Sequence, residues 1–254
     1  MALDKARLGS IAAMQLENVQ DLFAKIGDPA KDASGSVSGT MELALRFIGI
    51  ADFVVHNDVA MFKQRLSESA SLKKSMFERF NAGLPIDRSY VSMLAHKSLF
   101  TALAVGEQAL ASELAALMGG REALEREFDH PFDQALGYTL KAFVQKDREL
   151  AGIWLPKFSE ICQKRENVNF RGYVRVFEGI EKRDLKTAQS GLDELAATHR
   201  AECKGSGIFR DSPDELLCVW GIAVANLARF NGLNVESTSS LIPDVLLVEG
   251  DSSA

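Results

Sequence analysis

The stretch that decides the fold is residues 212–232, which read SPDELLCVWGIAVANLARFNG. It opens with a serine, a proline and, three residues after the serine, a glutamate, which is the pattern of a capping box at the start of a helix. The run from Leu216 to Phe230 contains two strongly polar residues, and Asn231-Gly232 supplies a helix stop. A helix that is apolar on nearly all sides must be buried. We therefore expect this helix at the centre of the C-terminal half.

The rest of the chain also repeats apolar residues at helical spacing. The acidic turn residues Glu107, Asp147 and Asp184 each separate two predicted helices, and they lie 40 and 37 residues apart. Such a period is typical of stacked helical hairpins of the tetratricopeptide or HEAT kind. Pro156 lies inside one helical pattern and predicts a kink or a break there. The predicted fold is all-α, with stacked helical hairpins around the buried C-terminal helix in a single domain of residues 1–254.

Two segments fall outside the helical pattern. Residues 28–40 are rich in Gly, Ser, Ala and Asp, which predicts a flexible loop. Residues 236–254 contain four acids and no Lys or Arg, which predicts an acidic C-terminal tail. Within that tail the apolar run Leu241–Val248 contains Pro243, which disfavours a central strand. We expect this run to dock over the helices of its own domain or on a neighbouring molecule.

Composition narrows the class of protein. The chain has 254 residues, 46% hydrophobic and 25% charged, which is ordinary for a soluble globular protein. Its net charge of −6 is unfavourable for direct nucleic-acid binding, which needs basic surface. Three widely spaced cysteines without a C-x-x-C pair favour a reducing compartment. No apolar run approaches the roughly 20 residues of a membrane span, and no signal peptide is visible, so we expect a cytoplasmic protein that does not contact membranes.

A search for catalytic motifs yields nothing specific. His199 and Cys203 are four residues apart and could share a metal ion, but no further ligand is near in the sequence, and a place at the rim of the core is the simpler interpretation. The glycine-containing segments 35–39 and 204–207 lack the spacing of a phosphate-binding loop and are interpreted as flexible connections. No G-x-S-x-G elbow is present. We therefore predict no enzyme, no catalytic residue, no metal and no cofactor.

Two groups of acidic residues remain as candidate site residues. Three interpretations are open: acid–base or metal chemistry, solvated acids that favour helix N-termini, or a contact patch for a basic partner. We predict the last as the functional one. The first group is Glu125, Glu127, Asp129 and Asp133, and the second is Asp211, Asp214 and Glu215.

Residues 212–235, together with the Leu241–Pro243 segment, resemble the C-terminal signature of the immunity 49 family of bacterial polymorphic-toxin systems. The resemblance extends over residues 95–248. Besides apolar helix positions, the matched residues are Trp220, Gly221, Asn226 and Gly232, with further similarity in Ala102–Met118, Asp129–Pro131 and the helices around Lys146-Asp147.

The resemblance implies a non-enzymatic, mostly helical protein that binds a cognate toxin domain and blocks it. Toxins of these systems are often nucleases delivered between bacteria by secretion machinery such as type VI secretion. The expected partner is therefore a basic nuclease domain, onto which an acidic inhibitor can be steered. The family has no catalytic residues to carry over, and the sequence leaves open whether the protein is a monomer.

Two other functions are compatible with the sequence. A tetratricopeptide-like scaffold would bind peptide partners in a concave groove, with several partners at modest affinity. A helical enzyme would show a deep pocket with convergent polar groups and a titratable residue of shifted pKa.

Overall fold

A computed structural model describes residues 3–26 and 28–250 of the chain. These residues form eleven α-helices and no β-strand, which confirms the all-α prediction. Four short 3-10 turns lie between helices, Arg88–Val91, Met93–Ala95, Arg165–Phe170 and Pro213–Glu215, and a fifth, Asp244–Leu246, follows α11. The α-helices are α1 (Lys5–Ile26), α2 (Ser36–His56), α3 (Val59–Asn81), α4 (His96–Ala104), α5 (Gln108–Leu117), α6 (Glu122–Phe128), α7 (Pro131–Gln145), α8 (Arg148–Ile161), α9 (Arg171–Lys182), α10 (Leu185–Glu202) and α11 (Val219–Phe230).

Four helical hairpins share one kind of turn. They are α2/α3, α4/α5, α7/α8 and α9/α10, and in each a left-handed residue is followed by an acid that starts the second helix. The backbone N–H of each acid donates to a carbonyl five or six residues earlier, which closes the first helix. The sequence predicts the acids of three turns, at Glu107, Asp147 and Asp184; the structure adds a fourth at Asp58. The stacked-hairpin arrangement agrees with the helix contacts.

Helix α11 lies in the core, as its apolar sequence predicts. Ten of its residues, Val219 to Ala228 in sequence, are buried, and it packs mainly on α4 and also on α9 and α10. Trp220 stacks on Phe100 of α4, with ring centroids 4.7 Å apart. Gly221 permits close approach of the C-terminal segment, because a Cβ there would lie 2.7 Å from Ile242 Cδ1.

Asn226 is the buried polar residue of α11 and joins three parts of the fold. Its side-chain amide donates to the carbonyls of Leu103 and Ala104 at the end of α4, at 3.0 and 3.2 Å. Its side-chain oxygen accepts from the backbone N–H of Val248, at 2.9 Å. The last carbonyls of a helix lack partners within the helix, so Asn226 satisfies those of α4 inside the core.

The predicted capping box at Ser212 is wrong. Pro213–Glu215 forms a separate 3-10 turn, and α11 begins four residues later at Val219. Ser212 caps no helix with its side chain; its hydroxyl donates to the carbonyl of Phe209 instead. The backbone N–H of Cys218 bonds the carbonyl of Leu241 at 2.8 Å, so a contact distant in sequence sets where the helix starts.

The extent of the predicted flexible loop of residues 28–40 is also wrong. Helix α2 already begins at Ser36, after Gly35 in the left-handed conformation (φ 81°). The loop that remains is held by Asp32, whose buried carboxylate accepts from the backbone N–H groups of Val37 and Ser38. Arg79 of α3 pairs with the same carboxylate at 2.7 Å. Asp32 thus caps the first turn of α2 and ties the loop to α3.

Pro156 does not break its helix, since α8 continues through it. A proline removes the hydrogen bond to the carbonyl four residues earlier. That carbonyl belongs to Gly152, which is exposed, so solvent can satisfy it. Ala151, Leu155 and Phe158 are buried along α8 and hold both halves of the helix on the core.

The C-terminal segment docks on its own chain as far as residue 250; residues 251–254 of the predicted tail lie outside the described residues. Four of its apolar residues are buried whereas Val245 is exposed, and Asp244 pairs with Arg229 of α11 at 3.0 Å. The buried apolar residues are Leu241, Ile242, Leu246 and Leu247. Among the helices that the structure describes, none is both long enough and apolar enough to cross a membrane.

Candidate functional site: an acid-lined cleft between α7 and α10

Glu125, from the first predicted acidic group, lies inside the protein rather than on a contact surface. It is 3% exposed. Its carboxylate accepts from the Tyr138 hydroxyl at 3.0 Å, from the Arg121 backbone N–H at 2.9 Å and from the Gln134 amide at 3.3 Å. The carboxylate therefore holds α6 against α7 and is not presented to a partner.

The other three residues of that group have different surroundings. Asp129 is half-buried and accepts from the backbone N–H of Met93 at 3.0 Å; burial raises the pKa of its carboxyl. Glu127 is exposed but pairs with Arg88 at 3.1 Å. Asp133, in the first turn of α7, lines a cleft. The four acids therefore do not form one surface patch.

The second predicted group is mainly structural. Asp214 is 4% exposed, and both of its carboxylate oxygens bond the guanidinium of Arg46, at 2.9 and 2.6 Å. Glu215 accepts from the backbone N–H groups of Asp211 and Leu3, at 2.6 and 3.3 Å. Asp211 is exposed beside Arg210, at 3.1 Å. None of these three acids lines the cleft that contains Asp133.

That cleft, which we call the α7–α10 cleft, has a volume of about 650 Å³. Six segments meet at it: α4, the start of α7, the 3-10 turn before α9, the end of α10, the loop 204–208 and the start of α11. Phe132, Phe170 and Trp220 form its apolar floor, and each is less than 10% exposed. Ile208, an exposed apolar side chain, stands at its edge.

Three carboxylates line the cleft. Asp133 and Glu166 come from α7 and the 3-10 turn, and Glu202 from the end of α10. Glu202 is held in place by the Asn169 amide, which donates to it at 2.7 Å. Lys97 and Lys204 also line the cleft, and neither forms an ion pair within the described residues. Acids therefore outnumber lysines in a cleft with an aromatic floor.

His96 lies behind Asp133 and determines what that carboxylate can bind. Its Nδ1 is 2.9 Å from the carbonyl of Met93, so Nδ1 carries the hydrogen and Nε2 is the acceptor. Nε2 is buried without a hydrogen-bond partner and lies 3.7 Å from Asp133 Oδ1. Burial lowers the pKa of His96 to about 4, more than the opposing effect of Asp133 raises it, so the ring is neutral at pH 7. His96 Nε2 and Asp133 Oδ1 are thus both acceptors and form no hydrogen bond with each other. The Asp133 carboxylate can therefore accept a hydrogen bond from a donor in the cleft.

The described residues contain no cluster of three or more His, Cys, Asp or Glu side chains that could hold a metal ion. His199 is buried, and its Nε2 lies 2.7 Å from the carbonyl of Asp214, which agrees with a place at the rim of the core. Burial raises the pKa of its neighbour Cys203 to about 11, so the thiol is protonated at neutral pH.

The α7–α10 cleft is chemically suited to bind a cation that can donate hydrogen bonds over an aromatic surface.

Searches of protein-family models, curated proteins and solved structures find no match for this chain. The resemblance to the immunity 49 family therefore stays a prediction, and the function has to be argued from the cleft.

Sequence reasoning identified one of the three cleft acids, Asp133. Glu166 and Glu202 carry no local signal, because they stand in ordinary polar stretches and reach the cleft through the packing of α9 and α10. Their distance from Asp133 along the chain, 33 and 69 residues, hides the site from any search for short motifs.

Proposed function

We propose that this protein is an immunity protein, which binds a cognate secreted toxin domain and neutralises it by direct contact, without catalysis. The observation that carries the proposal is the α7–α10 cleft, where three carboxylates surround an aromatic floor. A basic nuclease domain presents arginine and lysine side chains to its own substrate, and such a side chain fits this cleft in charge and in chemistry. The proposal places the protein in the cytoplasm, where it would meet an incoming toxin.

The cleft supplies both parts of a strong protein contact. The carboxylates steer a basic surface into place and accept charge-assisted hydrogen bonds. The aromatic floor and Ile208 offer apolar contact, which anchors an interface more strongly than exposed charge alone. Of the seven acids predicted from the sequence, Asp133 is the one we retain in the centre of the contact.

The test is affinity capture of the partner from the source bacterium, with wild-type protein and with the double variant D133K/E166K as bait. The matched control is E17K/E160K, which reverses two exposed acids on α1 and α8, neither of which lines the cleft. We expect the wild type and the control to retain one stoichiometric partner with a basic toxin domain at high salt. The cleft variant should lose it, because two attractive charges become repulsive.

A partner retained equally by the cleft variant would contradict the role of the cleft. Absence of any toxin-domain partner, in cells shown to express one, would contradict the immunity function itself. Both outcomes can be read from the same gel and mass-spectrometric identification.

A scaffold that binds peptides is the second candidate, and the four hairpins with one kind of turn favour it. It predicts several partners of modest affinity, which elute from the bait as salt is raised. An immunity protein predicts one partner that survives the same wash.

A further inference from the structure

A second cleft lies where the turns of the α7/α8 and α9/α10 hairpins adjoin. It has a volume of about 440 Å³ and shares no lining residue with the α7–α10 cleft. Its apolar surface comes from Ala142, Phe143, Ala151 and Ile180, of which each is less than 10% exposed. We call it the turn cleft. Its volume is in the range of small-molecule sites.

The rim of the turn cleft is rich in cations. Four exposed basic residues line it, against two acids, Asp147 and Glu181. Within the described residues, one of the four cations has an ion pair, which joins Lys182 to Glu178 at 3.9 Å between exposed side chains. A pair of that kind contributes little. The four basic residues are Lys146, Arg148, Lys182 and Arg183.

Two of these cations occupy left-handed turn positions that favour other residues. The equivalent positions of the other two hairpins hold Asn57 and Gly106, residue types that tolerate this conformation. The two turns at the cleft instead hold Lys146, at φ 55°, and Arg183, at φ 51°. Strained backbone that persists at corresponding positions around one cleft is typical of a functional site. Both are C-cap positions, where the partial negative charge of the helix end favours a basic side chain, so the unusual feature is the left-handed backbone and not the charge.

Arg148 is the third cation placed against local preference. It is the first residue of α8, where the partial positive charge of the helix end disfavours a basic side chain. An anion in the cleft would be attracted to Arg148. The end of α8 is already capped by Asp147, whose Oδ1 accepts from the backbone N–H of Leu150 at 2.9 Å, so the attraction for an anion comes from the four basic side chains, which outnumber the two acids.

We propose that the turn cleft binds a small phosphate monoester, with the phosphate among Lys146, Arg148 and Arg183 and an apolar group on the Phe143 surface. This inference is independent of the toxin contact, since it concerns a different cleft and a ligand of opposite charge. Several cations from two hairpins can surround one dianion, which gives charge-assisted hydrogen bonds from more than one side.

The experiment is an NMR titration of the ¹⁵N-labelled full chain with phenyl phosphate in 150 mM salt. The test variant is K146N/R183N, because asparagine suits the left-handed turn positions and the fold should be kept. The control is K63Q/K164Q, which removes the same amount of charge from two exposed lysines outside the cleft. Inorganic phosphate is titrated in parallel, and the melting temperature of each protein is measured.

We expect saturable shifts in the amides of residues 142–148 and 180–183 of the wild type and of the control. The variant K146N/R183N should bind at least about tenfold more weakly, since two charge-assisted hydrogen bonds are lost, and should melt no lower than the wild type. Phenyl phosphate should bind more tightly than inorganic phosphate because of the apolar surface.

Absence of saturable shifts in the wild type, shifts centred elsewhere in the chain, or equal weakening in the control would each overturn the proposal. A lower melting temperature of K146N/R183N would show that these cations serve the turns themselves and would also overturn it. Equal affinity for the two phosphates would contradict the assignment of the apolar surface.

Discussion

At the scale of single residues, His96 makes the free energy of unfolding depend on pH. Its ring is fully buried, and burial lowers its pKa from 6.5 to about 4. In the unfolded chain the ring takes up a proton near pH 6.5, whereas in the folded chain it does so only near pH 4. We therefore predict that the free energy of unfolding falls as pH decreases from about 6.5 toward 4, by at most about 1.4 kcal/mol per pH unit for this one proton. Urea denaturation at several pH values measures it.

The variant H96Q removes the titrating ring and should flatten that dependence. Part of the dependence should remain, because burial lowers the pKa of His199 in the same direction. The matched control is H130N, which replaces an exposed histidine at a helix start by another good capping residue. A pH dependence that is unchanged in H96Q would show that His96 is not held neutral by the core.

At the scale of elements, Asn226 decides how α11, α4 and the C-terminal segment fit together. The variant N226L keeps a side chain of similar size but leaves the Ala104 carbonyl and the Val248 N–H buried without this partner, whereas the Leu103 carbonyl keeps the backbone N–H of Gly106. We predict a loss of about 3 kcal/mol in the free energy of unfolding, since each unpaired buried group costs roughly 1–3 kcal/mol. The control N231A removes one bond at the half-buried end of α11 and should cost about 1 kcal/mol or less. Equal stability of N226L and wild type would contradict this account of the core.

The helix ends show which features of the fold can be predicted from the sequence. The turn at Asp147 and the stop at Gly232 are local signals, and both are confirmed, because a left-handed residue next to a cap needs no distant contact. The predicted start of α11 is wrong because the bond from Cys218 to Leu241 joins distant residues. The predicted extent of the loop at Asp32 is wrong for the same reason, since Arg79 of α3 holds the loop.

At the scale of the whole molecule, the hairpins bring dispersed residues to two clefts of opposite character. The α7–α10 cleft is lined by more acids than lysines, and the turn cleft by more cations than acids. The all-α class follows from periodicity, but neither cleft could be predicted, because its residues come from segments that meet only after packing. The predicted acids Glu125 and Asp214 illustrate the difficulty. The sequence shows two carboxylates, and only the fold shows that Tyr138 donates a hydrogen bond to Glu125 and that Arg46 donates one to Asp214.

The central claim is that the partner binds at the α7–α10 cleft. Its most direct test is hydrogen–deuterium exchange of the chain alone and in complex with the partner recovered by affinity capture. We predict slower exchange in the complex at residues 96–98, 130–134, 165–170 and 201–208, with the region around α1 unchanged. Unchanged exchange at these four segments, with protection elsewhere in the chain, would contradict the claim.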